Sequence, residues 1–136
     1  MGILTLTTII ATGLMAGLFF AFSVAVMPGL ADLPPENARG AMRRINARIQ
    51  NPVFLLVFLG TAVLCVVVAF QGRIVGGLLY LVGCLLVTMA VNVPMNNRLE
   101  SSSDSYWPEY LRNWTLWNHV RTVACTASTV ILLLGF

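Results

Sequence analysis

Two groups of polar side chains fall where the chain is otherwise apolar, and each is spaced to line one face of a helix. The first group is Thr88, Asn92 and Asn96. The second group leads into the last apolar stretch and consists of Trp114, Trp117, Asn118, Arg121 and Cys125. Together they offer a positive charge, directed amide hydrogen bonds and flat aromatic walls. The pattern predicts a pocket for a planar, oxygen-bearing, lipophilic molecule.

Arg121 is the residue on which this prediction depends. It lies at the start of a segment apolar enough to cross a bilayer, where a guanidinium that faces lipid is costly. We therefore expect its side chain to point into the protein, where the oxygens of Asn92, Asn96 and Asn118 are candidate acceptors. The alternative is that these groups only hydrogen-bond one another and tie the helices together, at about 1 kcal/mol for each bond.

His119 is the single histidine of the chain. Imidazole changes its charge near neutral pH, so this residue is the natural proton acceptor. On a helical wheel, however, it lies about 100° from the stripe that carries Asn118 and Arg121, and closer to Thr122 and Thr126. A catalytic role and a structural or interfacial role are both open at this point.

The sequence does not predict a metal site or a bound cofactor. One histidine with no carboxylate inside an apolar stretch cannot assemble the usual imidazole or carboxylate ligand sets. Haem with two histidine ligands would need a second chain, and no glycine-rich nucleotide fingerprint is present. The acidic residues all lie outside the apolar stretches: Asp32, Glu36, Glu100, Asp104 and Glu109.

The helices that position these polar residues are predicted from four apolar stretches of the chain. They run from about Ile3 to Met27, Val53 to Phe70, Ile74 to Val93 and Val120 to Phe136. Each is long enough to cross roughly 30 Å of hydrocarbon as a helix. Of the 136 residues, 58% are hydrophobic and 10% are charged, whereas about 25% of residues in soluble domains are charged. The sequence predicts an all-α, polytopic membrane protein, with residues 1–136 forming one antiparallel four-helix transmembrane bundle.

The basic residues are eight arginines, and they are unevenly placed. Four lie in the first loop, three lie in the third loop or at the start of the last apolar stretch, and only Arg73 lies in the second loop. Basic residues mark cytoplasmic loops. We therefore expect residues 29–52 and 94–118 on the cytoplasmic side of the cell membrane and both termini on the opposite side. This distribution does not predict a nucleic-acid partner.

An extra helix is predicted in the first loop. Pro28, Pro34 and Pro35 are expected to end the first span, and residues 36–50 are good helix formers. This amphipathic segment suits either the membrane interface or a continuation of the second span. Its apolar arc consists of Ala38, Met42, Ile45 and Ile49. Further along the chain, Pro94 is expected to loosen the end of the third span.

Small residues recur at helical spacing in two of the apolar stretches. Such stripes let the backbone of a neighbouring helix approach closely, so both predict helix contact faces. They are Gly13, Gly17, Ala21 and Ala25 in the first stretch, and Gly76, Gly83 and Ala90 in the third.

Three segments of the chain resemble the anthrone oxygenase family of small four-span membrane proteins. They are Asn46-Ala47-Arg48-Ile49-Gln50-Asn51-Pro52, Asn92-Val93-Pro94-Met95-Asn96-Asn97-Arg98-Leu99 and Trp114-Thr115-Leu116-Trp117-Asn118-His119-Val120-Arg121. The resemblance covers nearly the whole chain through the order, spacing and number of spans. Some fungal members oxidise anthrones to anthraquinones with dioxygen, without metal or flavin. The resemblance therefore implies cofactor-independent oxidation of a phenolic, polyketide-type aromatic.

The resemblance also implies roles for the polar residues. His119 would accept a proton, and Arg121 with an amide from Asn118, Asn92 or Asn96 would stabilise the oxyanion. Trp114 and Trp117 would stack on the rings of the substrate. The residues that would close the pocket from the loop side are Asn46, Asn51, Asn97 and Arg98. The expected partners are the lipid bilayer, an aromatic substrate and dioxygen, and a homo-oligomer is compatible with the pattern.

Two other interpretations stay open. In the first, the chain is a small transporter or an accessory membrane subunit, and its polar stripes serve permeation or packing. In the second, it is a module that holds haem or quinone between protomers.

Overall fold

Helices make up almost the whole chain. In the computed structural model, which describes residues 1–136, five helices follow one another and no strand occurs. They are α1 (Ile3–Ala31), α2 (Pro35–Ile49), α3 (Pro52–Phe70), α4 (Ile74–Ser101) and α5 (Trp107–Leu134), with a 3₁₀ turn at Asp104–Tyr106. The prediction of an all-α fold is confirmed.

The four long helices form an antiparallel ring. α5 packs against α1 and α4, and α3 packs against the same two helices on the other side of the ring. By length and composition α1, α3 and α4 are able to cross a membrane. α5 completes the ring, but polar residues in its N-terminal half make it less apolar than the other three. A helical membrane protein is therefore supported, with four long helices of which three meet the requirement for a span.

Two prolines that were expected to end or loosen helices do not do so. α1 continues through Pro28 to Ala31, and α4 continues through Pro94 to Ser101. A π-helical stretch lies just before each proline, at Phe22–Val26 and at Thr88–Asn92. Proline lacks an N–H, and its ring crowds the carbonyl four residues earlier. The wider π turn changes the hydrogen-bond pairing at that point, so the helix continues beyond the proline.

α2 is a separate helix and not a continuation of α3. It ends at Ile49, and the side chain of Asn51 then caps α3 by accepting the N–H of Phe54 at 2.9 Å. Such a cap satisfies one of the free N–H groups at a helix start and fixes where the new helix begins.

The first and third loops lie at the same end of the bundle. Arg39 of α2 donates hydrogen bonds to the carbonyl oxygens of Leu99 and Ser102, which end α4. Arg43 pairs with Glu100 at 2.5 Å. On the apolar face of α2, as predicted, Ala38 and Met42 are fully buried, and they belong to a cluster with Leu99, Tyr106, Trp107 and Tyr110.

The stripe of small residues in α4 is a helix contact at two of its three positions. A Cβ placed on Gly83 would overlap the Cβ of Ala124 on α5, and one on Gly76 would lie 2.5 Å from the side chain of Leu132. Ala90, the third residue of the stripe, is exposed. The prediction of a helix contact face in this span is confirmed for the two glycines, and the structure shows that the partner is α5.

The corresponding prediction for α1 is wrong within this chain. Gly17, Ala21 and Ala25 are exposed, and nothing lies within 4 Å of a Cβ placed on Gly17. A Cβ on Gly13 would only touch Thr129 at 3.9 Å. α1 packs through other residues, among them Met15 and Phe19, which are buried in a core with Phe58 and Tyr80.

We predict that Gly83→Ala lowers the free energy of unfolding by about 1–3 kcal/mol, because the new methyl group overpacks the α4–α5 contact. Gly17→Ala is the matched control, since its methyl group enters open space. Denaturant unfolding of both variants in the same detergent measures the difference. Equal effects of the two substitutions would contradict the close packing at Gly83.

Candidate functional site

A cavity of about 310 Å³ lies inside the loop end of the bundle. It is lined by residues from all five helices, and most of them are apolar. The predicted site residues among them are Asn46, Asn96, Asn97, Trp114 and Arg121. The others are Leu18, Phe19, Phe22, Ile45, Ile49, Gln50, Phe54, Leu55, Phe58, Thr88, Met89 and Val93. The size and apolar character suit a small organic ligand.

Arg121 is buried beside this cavity and has no acidic partner. Its side chain lines the cavity, although the residue is only 5% exposed. The three ion pairs of the structure, Arg39–Asp104, Arg43–Glu100 and Arg98–Glu109, all lie at the loop end. A buried charge usually has a partner of opposite sign. The cavity wall therefore carries a positive charge that no protein group neutralises.

Neutral groups hold the guanidinium in place. Nη1 donates to Oγ1 of Thr88 at 3.1 Å, and Nη2 donates to Oδ1 of Asn118 at 2.8 Å. The guanidinium carbon lies 4.2 Å from the ring centre of Phe19 and 5.1 Å from that of Trp114. Nε has no hydrogen-bond partner. The ring faces stabilise the cation without neutralising it.

Asn118 is fixed so that its oxygen faces Arg121. Its amide nitrogen donates to the carbonyl oxygen of Phe19 at 2.9 Å and to Oγ of Ser23 at 2.7 Å. Because both amide hydrogens are used on α1, only the oxygen is left for the guanidinium. Asn118 is completely buried and does not line the cavity, so it supports Arg121 from behind.

Ser23 is a site residue that sequence reasoning missed. It is buried in the π-helical stretch of α1 and links Asn118 to two further side chains, with His119 Nδ1 at 2.8 Å and Thr122 Oγ1 at 3.3 Å. A lone serine in a span rich in small residues gives little signal. The proline five residues later, which disturbs the helix at this position, was the available clue.

A second polar network lies at the loop side of the cavity. Oδ1 of Asn96 accepts hydrogen bonds from the Tyr110 hydroxyl at 2.7 Å and from Nε1 of Trp114 at 2.9 Å. Asn46 donates to the same hydroxyl at 3.4 Å. The oxygen of Asn96 is occupied twice, and its amide hydrogens have no partner in the protein. Tyr110 is fully buried here.

The structure does not bring His119 to the cavity. It lies on another face of α5, in a shallow surface groove with Met27 and Arg112, and its only side-chain partner is Ser23. The helical-wheel separation from Arg121 therefore holds in three dimensions. A chain of hydrogen bonds connects His119 to the cavity through Ser23 and Asn118 to Arg121.

Four more predicted site residues lie away from the cavity lining. Asn92 is buried and donates to the carbonyl oxygen of Trp114 at 3.4 Å. Trp117 is 38% exposed on the outside of the bundle. Asn51 is exposed and caps α3. Arg98 lies 4.1 Å above the ring of Tyr106 at the loop end, where burial raises the pKa of that phenol.

The buried cysteines do not form a metal site. Cys65, Cys84 and Cys125 are reduced and belong to one core cluster, and no group of three or more His, Cys, Asp or Glu side chains is arranged to hold a metal ion. The polar groups that line the cavity are amides, one hydroxyl, an indole and the guanidinium. This set favours an oxygen-bearing or anionic organic ligand.

Fold and site together define a small helical membrane protein with an apolar cavity that carries one buried cation. The anthrone oxygenase family matches residues 39–131, and the chain belongs to that family. No curated protein and no solved structure is significantly similar to it. The matched segment includes the cavity residues of α2, α3, α4 and α5, whereas Phe19 and Ser23 of α1 lie before it.

We predict that Ser23→Ala lowers the free energy of unfolding by about 1–2 kcal/mol, because the buried amide of Asn118 loses an acceptor. Thr126→Ala is a suitable control. Its hydroxyl lies on the exposed side of α5 and bonds only the carbonyl of Thr122 one turn earlier. Thermal unfolding in nanodiscs compares the two, and indistinguishable midpoints would mean that Ser23 does not support the site.

Proposed function

We propose that the protein oxidises a planar phenolic aromatic of the polyketide type with dioxygen, inside the cavity and without a bound cofactor. The observation that carries this proposal is the uncompensated guanidinium of Arg121 at an apolar cavity. Membership of the anthrone oxygenase family supports the reaction class. The proposed reaction converts an activated ring methylene to a carbonyl, with one oxygen atom of O₂ in the product and the other in water.

The physical basis of the proposal is stabilisation of an anion. Loss of a proton from the methylene next to a ring ketone gives an electron-rich, phenolate-like anion that is able to reduce dioxygen directly. Its charge resides largely on oxygen. A guanidinium in surroundings of low dielectric constant, held by Thr88 and Asn118 before the ligand arrives, would stabilise that oxygen without reorganisation.

The remaining lining residues would orient the rings. Phe19, Phe22 and Trp114 offer aromatic surfaces near Arg121, and Phe22 and Trp114 pack with ring centres 5.8 Å apart. The free amide hydrogens of Asn96 would bind a second ligand oxygen at the loop side. Exclusion of water by these groups would strengthen the pairing of the oxyanion with Arg121.

The proton does not need a protein base at the reacting carbon in this proposal. His119 is connected to the cavity only through Ser23 and Asn118, and an amide is a poor relay for protons. We therefore assign His119 to positioning, through its contact with Ser23. Stabilisation of the anion by Arg121 would lower the proton affinity of the bound substrate enough for water at the mouth of the cavity to accept the proton.

We further propose that the loop end, with residues 29–52 and 94–118, faces the cytoplasm. Six of the eight arginines lie in these two segments. The contacts of Arg39 and Arg43 with the end of α4 place both segments on one side of the bundle. The positive-inside rule then assigns that side to the cytoplasm of the cell membrane.

We predict that Arg121→Gln lowers the rate of oxygen consumption with anthrone at least 100-fold, as removal of one charge-stabilising donor does in other oxyanion sites. Arg121→Lys should retain part of the rate, because it keeps the charge and loses the planar fork. Arg112→Gln is the matched control on the same helix, since this arginine is exposed and does not line the cavity. Unchanged oxygen uptake by Arg121→Gln would overturn the proposed function.

We predict that His119→Ala changes the same rate by less than about tenfold, because positioning through a neighbouring hydroxyl affects geometry and not charge. The pH dependence of oxygen uptake should keep its shape in this variant. Loss of the rate comparable to that in Arg121→Gln, together with a changed pH profile, would instead assign the proton transfer to His119.

A further inference from the structure

Part of the cavity lining reaches the outer surface of α3 and α4. Two of its lining residues, Leu55 on α3 and Met89 on α4, are 41% and 56% exposed. Both lie within helices apolar enough to cross a membrane. A residue that lines a cavity and is exposed at the surface marks a mouth. This part of the mouth therefore has an apolar rim.

The opening follows from the way α3 and α4 diverge. The two helices pack closely near the turn that joins them, where a Cβ on Gly77 would lie 2.5 Å from the carbonyl oxygen of Cys65. At the other end, the π-helical stretch Thr88–Asn92 packs against α5. The two helices thus form a wedge, closed near residue 71 and open towards the loop end, with Phe54 and Val93 on its inner walls.

A second, polar part of the rim lies nearer the loops. Gln50 and Asn97 also line the cavity and are exposed. Asn97 follows Met89 by eight residues, which is about 12 Å along a helix. The mouth is therefore a slot, with amides near the loop end and aliphatic side chains further along the bundle.

We infer that the ligand of this cavity is a membrane-dissolved aromatic that slides in from the hydrocarbon between Leu55 and Met89. This inference takes the class of ligand from the proposed function. It adds the route by which the ligand enters and the medium from which it comes. Passage through the apolar rim keeps the rings out of water throughout. The amides of Gln50 and Asn97 at the upper end of the slot accommodate the oxygen-bearing edge of the molecule as it turns towards Arg121.

The first test uses anthraquinone as a planar, unreactive probe in lipid vesicles, with stopped-flow quenching of the Trp114 fluorescence in a protein that carries Trp117→Phe. Leu55→Phe and Met89→Phe should slow association and dissociation alike by about tenfold and leave the dissociation constant nearly unchanged. A change in the dissociation rate alone, which changes the dissociation constant, would indicate a role in packing and not in passage. Leu56→Phe and Leu86→Phe are matched controls on the same two helices, since both residues are exposed and neither lines the cavity.

Substitutions in the polar part of the rim test whether the ligand enters from water instead. If Gln50→Phe and Asn97→Phe slow the probe and the two apolar-rim variants do not, the ligand comes from water and the inference is overturned, while the proposed function stands. If the wild-type protein binds no anthraquinone at all, the aromatic pocket of the proposed function fails.

A second test needs no ligand. Lipids with brominated acyl chains quench an indole that they touch, so chains that reach the cavity should quench Trp114 although it is only 4% exposed. Trp117→Phe removes the exposed indole from the signal, and Trp107, at 3% exposure, is buried and does not line the cavity. Quenching that Leu55→Phe and Met89→Phe reduce supports the opening. Absence of quenching in the Trp117→Phe protein overturns it.

Discussion

A buried guanidinium without a carboxylate is the constraint around which the loop end of this bundle is organised. Desolvating an unpaired ion costs several kcal/mol even after local relaxation. Arg121 meets that cost with two neutral acceptors and two ring faces, none of which removes its charge. The arrangement is directional, because each acceptor is itself held. Asn118 is fixed by α1, and Thr88 lies in the π-helical stretch of α4, so three helices must keep their relative rotation for the cation to remain satisfied.

The sequence predicts the helical content well because hydrophobic periodicity and length depend on local chemistry. The ends of the helices are harder to predict, because Pro28 and Pro94 would disrupt an α-helical hydrogen-bond pattern and a π-helical stretch accommodates both. Both π-helical stretches pack against α5, a contact that the proline alone does not predict. The stripes of small residues are a second case in which the sequence alone does not decide the outcome. Gly83 and Gly17 permit the same close approach, but only α4 has a neighbour at the glycine face, since spacing identifies a possible contact without identifying the partner.

The part of the site that lies on one helix could be predicted from the sequence. The closeness of Asn118 to Arg121 follows from their positions on α5, and so does the offset of His119 from both. The structure shows both relations. The supporting groups on other helices could not be predicted in the same way. Ser23 and Phe19 approach Asn118 from α1, nearly 100 residues away in the chain. Their approach depends on the rotation of α1 in the ring, which periodicity leaves open when the helix has apolar residues on every side. The prediction that Trp117 lines the pocket is wrong for a related reason. The predicted polar and aromatic stripe of α5 was wider than the face of the helix that is buried.

The amide side chain of Asn118 indicates which kind of ligand would suit the cavity. A carboxylate there would lie within 3 Å of the guanidinium, form a closed ion pair and leave the cavity electrically neutral. Asparagine offers the same hydrogen-bond acceptor with no charge, and its two donors fasten it to Phe19 and Ser23 so that the oxygen cannot turn away. The protein thus holds Arg121 with neutral groups, and under the proposed function the neutralising charge would come from the ligand. A neutral ligand would gain little from this arrangement, whereas a ligand that becomes an oxyanion during the reaction gains most at the point where its charge develops. That difference between ground state and reacting state is the property expected of a catalytic cavity, and a cavity for storage or permeation does not require it.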